Sequence, residues 1–145
     1  MLRLAFLSAA VLVAGCDAGV FTEDGQPFHV SEVDPRPQPV GGYAALAAAV
    51  EYPRLAREAG IEGEVTVQLD VLPDEVRGAQ VLSSPSDLLS EAALRVVGGS
   101  RDASVAPGWV PGRMGRREVA TRVRVCIAFR LLGAEGRVEA RDCSV

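Results

Sequence analysis

The sequence predicts an α+β fold: a small antiparallel sheet of three strands plus a C-terminal fourth, with helices packed on one face. Three observations predict it. Val65, Val67, Leu69 and Val71 alternate with Glu64, Thr66, Gln68 and Asp70, the period of two of a half-buried strand. A stronger alternation sets Val119, Thr121, Val123, Val125, Ile127, Phe129 and Leu131 on one face and Arg122, Arg124, Cys126, Ala128 and Arg130 on the other. Between the two, Leu88, Leu89, Ala92, Ala93, Val96 and Val97 form an apolar stripe at helical spacing. Elements in this order build one sheet layer covered by helices.

The chain starts with Arg3, an apolar run from Leu4 to Val13 and then Ala14-Gly15-Cys16. About ten apolar residues after a positive charge make a secretory signal and are too few to span a bilayer as a helix. Val13-Ala14-Gly15-Cys16 resembles the lipobox of bacterial lipoproteins, which implies cleavage before Cys16, lipid on that cysteine and attachment to a membrane surface. The alternatives are an ordinary secretory signal or an uncleaved anchor. Residues 1–15 are therefore expected to be a signal peptide. Residues 16–39 are expected to be a tether, because the stretch is polar, is broken by Pro27, Pro35, Pro37 and Pro39, and has no helical or strand period.

From Gly41-Gly42 the character changes. Tyr43 to Val50 is alanine-rich and helix-favouring, and Tyr52 to Gly60 reads as a second short helix with Pro53 in its first turn and Gly60 past its end. Both are too short to stand alone and must dock on the sheet. After the first strand, Pro73-Asp74-Glu75 makes a turn and Val76 to Leu82 a second strand, weakened by Gly78. Ser84-Pro85-Ser86-Asp87 offers N-caps to the third helix, and Gly98-Gly99 ends it. Ser100 to Arg117 reads as irregular, and the strongest strand follows it.

Composition excludes several functions. The 145-residue chain, less its signal, suffices for one modest domain with one core. Its net charge of −4, more negative once Arg3 is removed, does not favour nucleic acid. The only histidine, His29, lies in the Pro-containing stretch, and there is no C-x-x-C, so neither a structural zinc site nor a histidine-based triad can be assembled. Ser83, Ser84 and Ser86 have no activating neighbour and read as turn and cap residues. No catalytic residue, metal or cofactor is expected. With Cys16 lipidated, Cys126 and Cys143 remain as a pair, and an exported compartment permits a disulfide.

Val40-Gly41-Gly42, Tyr52-Pro53-x-x-Ala56, Gly60-Ile61-Glu62-Gly63-x-Val65-x-Val67, Ala92-Ala93-Leu94, Trp109-x-Pro111-Gly112 and the closing Val123-x-Val125-x-Ile127-x-Phe129-x-Leu131 resemble, in order and spacing, the C-terminal domain of the TonB family. The resemblance covers residues 40–132. It implies a periplasmic, non-enzymatic module that binds a short extended peptide from an outer-membrane receptor or other envelope protein. In that family the last strand lies at an open sheet edge to which the peptide adds, which makes Val123, Arg124, Val125, Ile127 and Phe129 the expected partner-binding edge. Trp109, Arg113, Arg116 and Arg117 are secondary candidates for partner contact, although a packed tryptophan and a solvated basic loop explain them better. The family's energy transducers carry an uncleaved membrane helix where this chain has a lipobox, so no link to a proton-driven motor is expected. The expected location is the periplasmic face of an envelope membrane, inner or outer.

Beyond Leu132, residues 133–145 are expected to fold back as a hairpin strand. A two-residue loop at Ala134-Glu135 would set Cys126 opposite Cys143 in a non-hydrogen-bonded pair ~4.5 Å apart, within disulfide reach. It would also set Arg130 opposite Glu139 and place Val138 and Ala140 on the face of Phe129 and Leu131. The alternative is a frayed tail with two free thiols. Two functions follow: a membrane-anchored adaptor in envelope transport that binds a peptide at the sheet edge, or a structural lipoprotein whose sealed edge braces another envelope protein.

Overall fold

The computed structural model describes residues 19–98 and 108–144. The expected signal peptide, Cys16 and the first part of the expected irregular stretch lie outside them. In chain order the elements are β1 (Phe28–His29), a 3-10 turn (Val30–Glu32), β2 (Gln38–Pro39), α1 (Gly42–Ala49), α2 (Arg54–Glu58), β3 (Gly63–Val71) and β4 (Val76–Ser83). There follow α3 (Asp87–Val97), β5 (Trp109–Val110), β6 (Gly112–Met114), β7 (Arg117–Val119), β8 (Thr121–Leu132) and β9 (Glu135–Asp142). The main sheet runs β4-β3-β8, with β9 and β1 sharing the far edge of β8. β1 is parallel to β8, and the other pairs are antiparallel.

The core follows the alternation. Val65, Val67, Leu69 and Val71 of β3 and Val123, Val125, Ile127 and Phe129 of β8 are buried against Leu89, Ala93, Val96 and Val97 of α3. Ser86 caps α3 through its hydroxyl, which accepts from the Leu88 N–H at 3.2 Å, and Asp87 favours the positive end of the helix dipole. Phe129 packs edge-on against Tyr52, ring centroids 5.3 Å apart. The Tyr52 hydroxyl in turn donates to the Ile61 carbonyl and ties the chain just before α2 to the link between α2 and β3.

Three expectations need correcting. Within the expected tether, residues 19–39 dock on the domain: Ala120 donates to Val20, Phe28 donates to Ala120, and Val30 and Val33 are buried. Asp34 and Pro35 exchange backbone hydrogen bonds with Arg113, and Pro39 pairs with Trp109. The contacts are single residues scattered among prolines, so no sequence period reveals them. Gly112 shows how close the approach is, since a Cβ there would lie 2.5 Å from Val33 and 2.9 Å from Pro37.

Next, part of the stretch read as irregular is the β6–β7 hairpin, turning at Gly115 with φ +64°. Finally, the C-terminal hairpin turns at Gly133-Ala134, not Ala134-Glu135. Leu132 pairs with Glu135, Cys126 stands opposite Arg141, and Arg130 opposite Arg137. The reason is backbone conformation: a two-residue loop of this kind needs φ > 0 at its first position, which Gly133 supplies at +64° and Ala134 would not tolerate. The slip is an even number of positions, so faces are preserved, and Val138 and Ala140 pack on the core side beside Phe129 and Ile127.

Phe129→Ala removes the largest fully buried side chain and is expected to cost on the order of 3–5 kcal/mol of folding stability, measured by urea denaturation. A loss below about 1 kcal/mol would contradict this core.

Candidate functional site

β8 carries the expected partner-binding edge, and the C-terminal strand lies along it. β3 pairs with Thr121–Phe129 along one side, while β1 pairs with Thr121 and Arg122 and β9 with Val125–Leu132 along the other. The gap between them is closed at Arg124, whose N–H donates to the Ser144 hydroxyl at 2.7 Å and whose carbonyl accepts from Cys143 N–H at 3.0 Å. Val123, Arg124, Val125, Ile127 and Phe129 thus lie on an interior strand, and the sheet edge on that side passes to β9.

A disulfide holds this arrangement. Cys126 and Cys143 are bonded with Cα atoms 5.8 Å apart, a diagonal rather than directly opposed pair, because Cys143 extends the ladder opposite Arg124. Both cysteines are on the sheet face opposite the helices. That face is lined by charge pairs: Arg122 with Asp70, two hydrogen bonds of 2.8 and 3.1 Å, and Arg141 with Glu64 at 3.1 Å.

The free edge of β9 borders an open groove of about 920 Å³. Its other wall is α1, through Ala44, Ala47 and Ala48. The Cys143–Arg124 hydrogen bond sets the parity of the ladder: Glu135, Arg137, Glu139 and Arg141 turn their backbone groups toward β8, and Gly136, Val138 and Ala140 turn theirs toward the groove. The groove therefore offers N–H and C=O groups that are unpaired among the described residues, beside a wall of small apolar side chains. That combination suits an extended chain added as a further strand.

Past the end of β9, Asp142 forms an ion pair with Arg36 at 3.7 Å and accepts from the Ser144 N–H at 2.8 Å. Nearby, Tyr43 and Trp109 pack edge to face with centroids 6.4 Å apart. The Tyr43 hydroxyl and the Trp109 indole N–H are buried without a hydrogen-bond partner among the described residues. Burial, then the negative charge of Asp142, pushes the Tyr43 phenol well above its ordinary value, partly opposed by Arg36.

Trp109 is thus half-buried packing for Tyr43 and β2 rather than an exposed platform. Arg113, Arg116 and Arg117 are exposed at the turn of the β6–β7 hairpin, where Arg113 donates to the Arg116 carbonyl, and none of them lines the β9 groove. His29 caps the 3-10 turn: its Nδ1 accepts from the Ser31 N–H, and its own N–H donates to Glu32. The alanine wall of α1 was not singled out in the sequence. The alanine run itself is visible there, but nothing local says that it borders an edge strand.

Residues 48–131 match the family described as Gram-negative bacterial TonB protein C-terminal. The match begins inside α1 and ends within β8, so β9 and the docked segment 19–39 lie outside it. No curated protein and no solved structure matches the chain. No helix among the described residues is long and apolar enough to cross a membrane.

The Tyr43 environment has a pH signature. Below about pH 10 the phenol is neutral in both folded and unfolded chains. Above that the unfolded chain releases the proton first, so the contribution of Tyr43 to stability is lost as pH rises toward the folded-state value. Tyr43→Phe is expected to change stability by less than about 1 kcal/mol at neutral pH and to flatten the alkaline decline, measured by urea titrations from neutral to alkaline pH.

Proposed function

The chain belongs to the TonB C-terminal family, and from that premise we propose that it is a membrane-anchored periplasmic adaptor whose β8 edge receives an extended segment of an envelope partner once β9 is released. The family's domains are non-enzymatic, envelope-associated modules that interact with outer-membrane receptors or other envelope proteins. The observation that carries the reading is the cover on β8. The matched span ends at the strand the family uses for its partner, and the strand lying over that edge comes from outside the span and is tied down by a disulfide. A disulfide closing so short a loop stabilises by ~3 kcal/mol in the chain-entropy model, enough to act as a latch. Partner addition at β8 would then replace β9 hydrogen bond for hydrogen bond, with alternate side chains entering the positions of Val138 and Ala140.

The anchor in this reading is lipid on Cys16. With lipid on Cys16 as the anchor, the proposal includes no coupling to a proton-driven motor. The second reading, a structural lipoprotein that braces another envelope protein, is favoured by the same disulfide if that bond is never opened.

Two experiments test these proposals. Cys16→Ser should move the protein from the membrane to the soluble periplasmic fraction, and retention of the signal-cleaved variant in the membrane would rule out lipid anchoring. For the latch, a receptor-derived extended peptide is titrated by calorimetry into the oxidised chain, into Cys143→Ser and into the chain truncated after Leu132. Affinity should rise by up to about a hundredfold on release, the equivalent of the ~3 kcal/mol latch. Tight binding to the oxidised form with no gain on release would reject the latch. Absence of binding to all three would favour bracing.

A further inference from the structure

The turn of the β6–β7 hairpin is a positive tip on an acidic protein. Its ladder pairs Arg113 with Glu118 and Met114 with Arg117, and Gly115-Arg116 makes the turn. Directly opposed residues share a face, so Arg113 and Glu118 offset each other on one face, while Arg117 stands beside Met114 on the other. Arg113, Met114, Arg116 and Arg117 are all exposed. Neither Arg116 nor Arg117 is ion-paired among the described residues, although Glu23 and Asp24 border the same hollow as Arg117. Two guanidinium groups and one apolar side chain thus reach solvent together, in a chain whose formal net charge is −4.

The start of the described chain is held against this hairpin. The Arg117 guanidinium lies where a Cβ of Gly19 would stand, and the Val20 carbonyl accepts from the Ala120 N–H at 2.8 Å, one residue past β7. Gly19 is only three residues after Cys16. Three residues, fully extended, span at most about 10 Å. An anionic bilayer acts on a nearby charge over about one Debye length, ~8–10 Å near physiological ionic strength. The two lengths match. With lipid on Cys16, the tether therefore holds Arg117 inside the headgroup field or at its margin.

We propose that the β6–β7 hairpin is a second membrane contact, in which Arg116 and Arg117 bind the anionic phospholipid headgroups of the bilayer that holds Cys16 and Met114 enters the interfacial layer. The proposal rests on the lipid-anchor reading of Cys16 and is independent of any peptide at β8. A guanidinium suits this partner, because its planar fork donates two parallel hydrogen bonds to one phosphate. Two arginines beside an anionic surface favour contact by on the order of thirtyfold. That is too little to keep a chain without lipid on the membrane. It is enough for a tethered chain, whose local concentration at the surface is already high. A single lipid tether leaves a domain free to turn. The surface that attracts the hairpin repels the acidic remainder of the protein, so the second contact selects one orientation.

The test uses the mature lipidated chain in vesicles, with Met114→Cys carrying a nitrobenzoxadiazole fluorophore, the disulfide keeping Cys126 and Cys143 from reacting. In phosphatidylcholine vesicles with roughly a third phosphatidylglycerol, the emission should shift to the blue and be quenched by nitroxide-bearing lipid, and about 0.5 M salt should reverse both. In pure phosphatidylcholine vesicles the chain stays anchored and the label should remain in water. Combining Arg116→Gln with Arg117→Gln should weaken the contact by roughly tenfold or more. If circular dichroism finds that variant unfolded, Arg116→Glu at the exposed turn carries the same test. A label that stays in water on the anionic vesicles overturns the proposal and leaves the arginines to an acidic protein partner. A shift that is equal on both kinds of vesicle, or unchanged in the arginine variants, overturns it as well. Mass spectrometry of the mature chain reports separately whether Cys16 carries lipid. If it does not, the anchor reading fails, and the Cys16→Ser chain, held on nickel-chelating lipid by a polyhistidine tag in place of residues 1–15, decides the hairpin contact by the same readouts.

Discussion

The structure depends on β8 being paired along both of its edges. A twelve-residue strand with one apolar face has no stable existence alone, and here it is fixed by β3 on one side and by β1, β9 and Ser144 on the other. Its apolar side chains, Val123 to Phe129, are then committed to the face covered by α3, α1 and Tyr52. Its arginines are committed to the opposite face, where Arg122 meets Asp70. Everything else in the fold either completes this pairing or covers its apolar face.

The consequence for function is a transfer of the edge. An unpaired strand edge is where a sheet invites another chain, and the residue that ends a sheet decides what is invited. By folding back at Gly133, the C-terminal segment takes the apolar, strongly β-forming edge of β8 out of reach and presents in its place a strand of alternating charge. Alternating charge discourages indiscriminate pairing and admits only a complementary sequence. The disulfide makes the exchange durable without adding apolar surface.

The N-terminal segment acts on the same edge. β1 runs beside the part of β8 that β9 does not reach, Val30 after it joins the core, and Val33 is buried close to Gly112. Any tether between a lipidated Cys16 and the folded domain would be far shorter than the ~70 Å that a fully extended 23-residue linker could reach at ~3.1 Å per residue.

Period and composition by themselves determined the main elements. The alternation in β3 and β8 and the stripe of α3 place the core residues, because an apolar face that recurs at two or at three to four residues has one way to be buried. The ordered fragments from Val40 to Leu131 also carried the family. Whether Cys126 and Cys143 share a face was legible as well, since parity survives a register slip of two. The turn itself was not, although Gly133 was in view: only the comparison of φ at Gly133 with that required of Ala134 separates the two loops. What the tertiary structure alone decided is which edge is open. The docking of Phe28–His29 on Thr121–Arg122, of Pro39 on Trp109 and of α1 beside β9 joins residues far apart in sequence through one or two contacts each, and contacts so few and so distant leave no periodic trace in the chain.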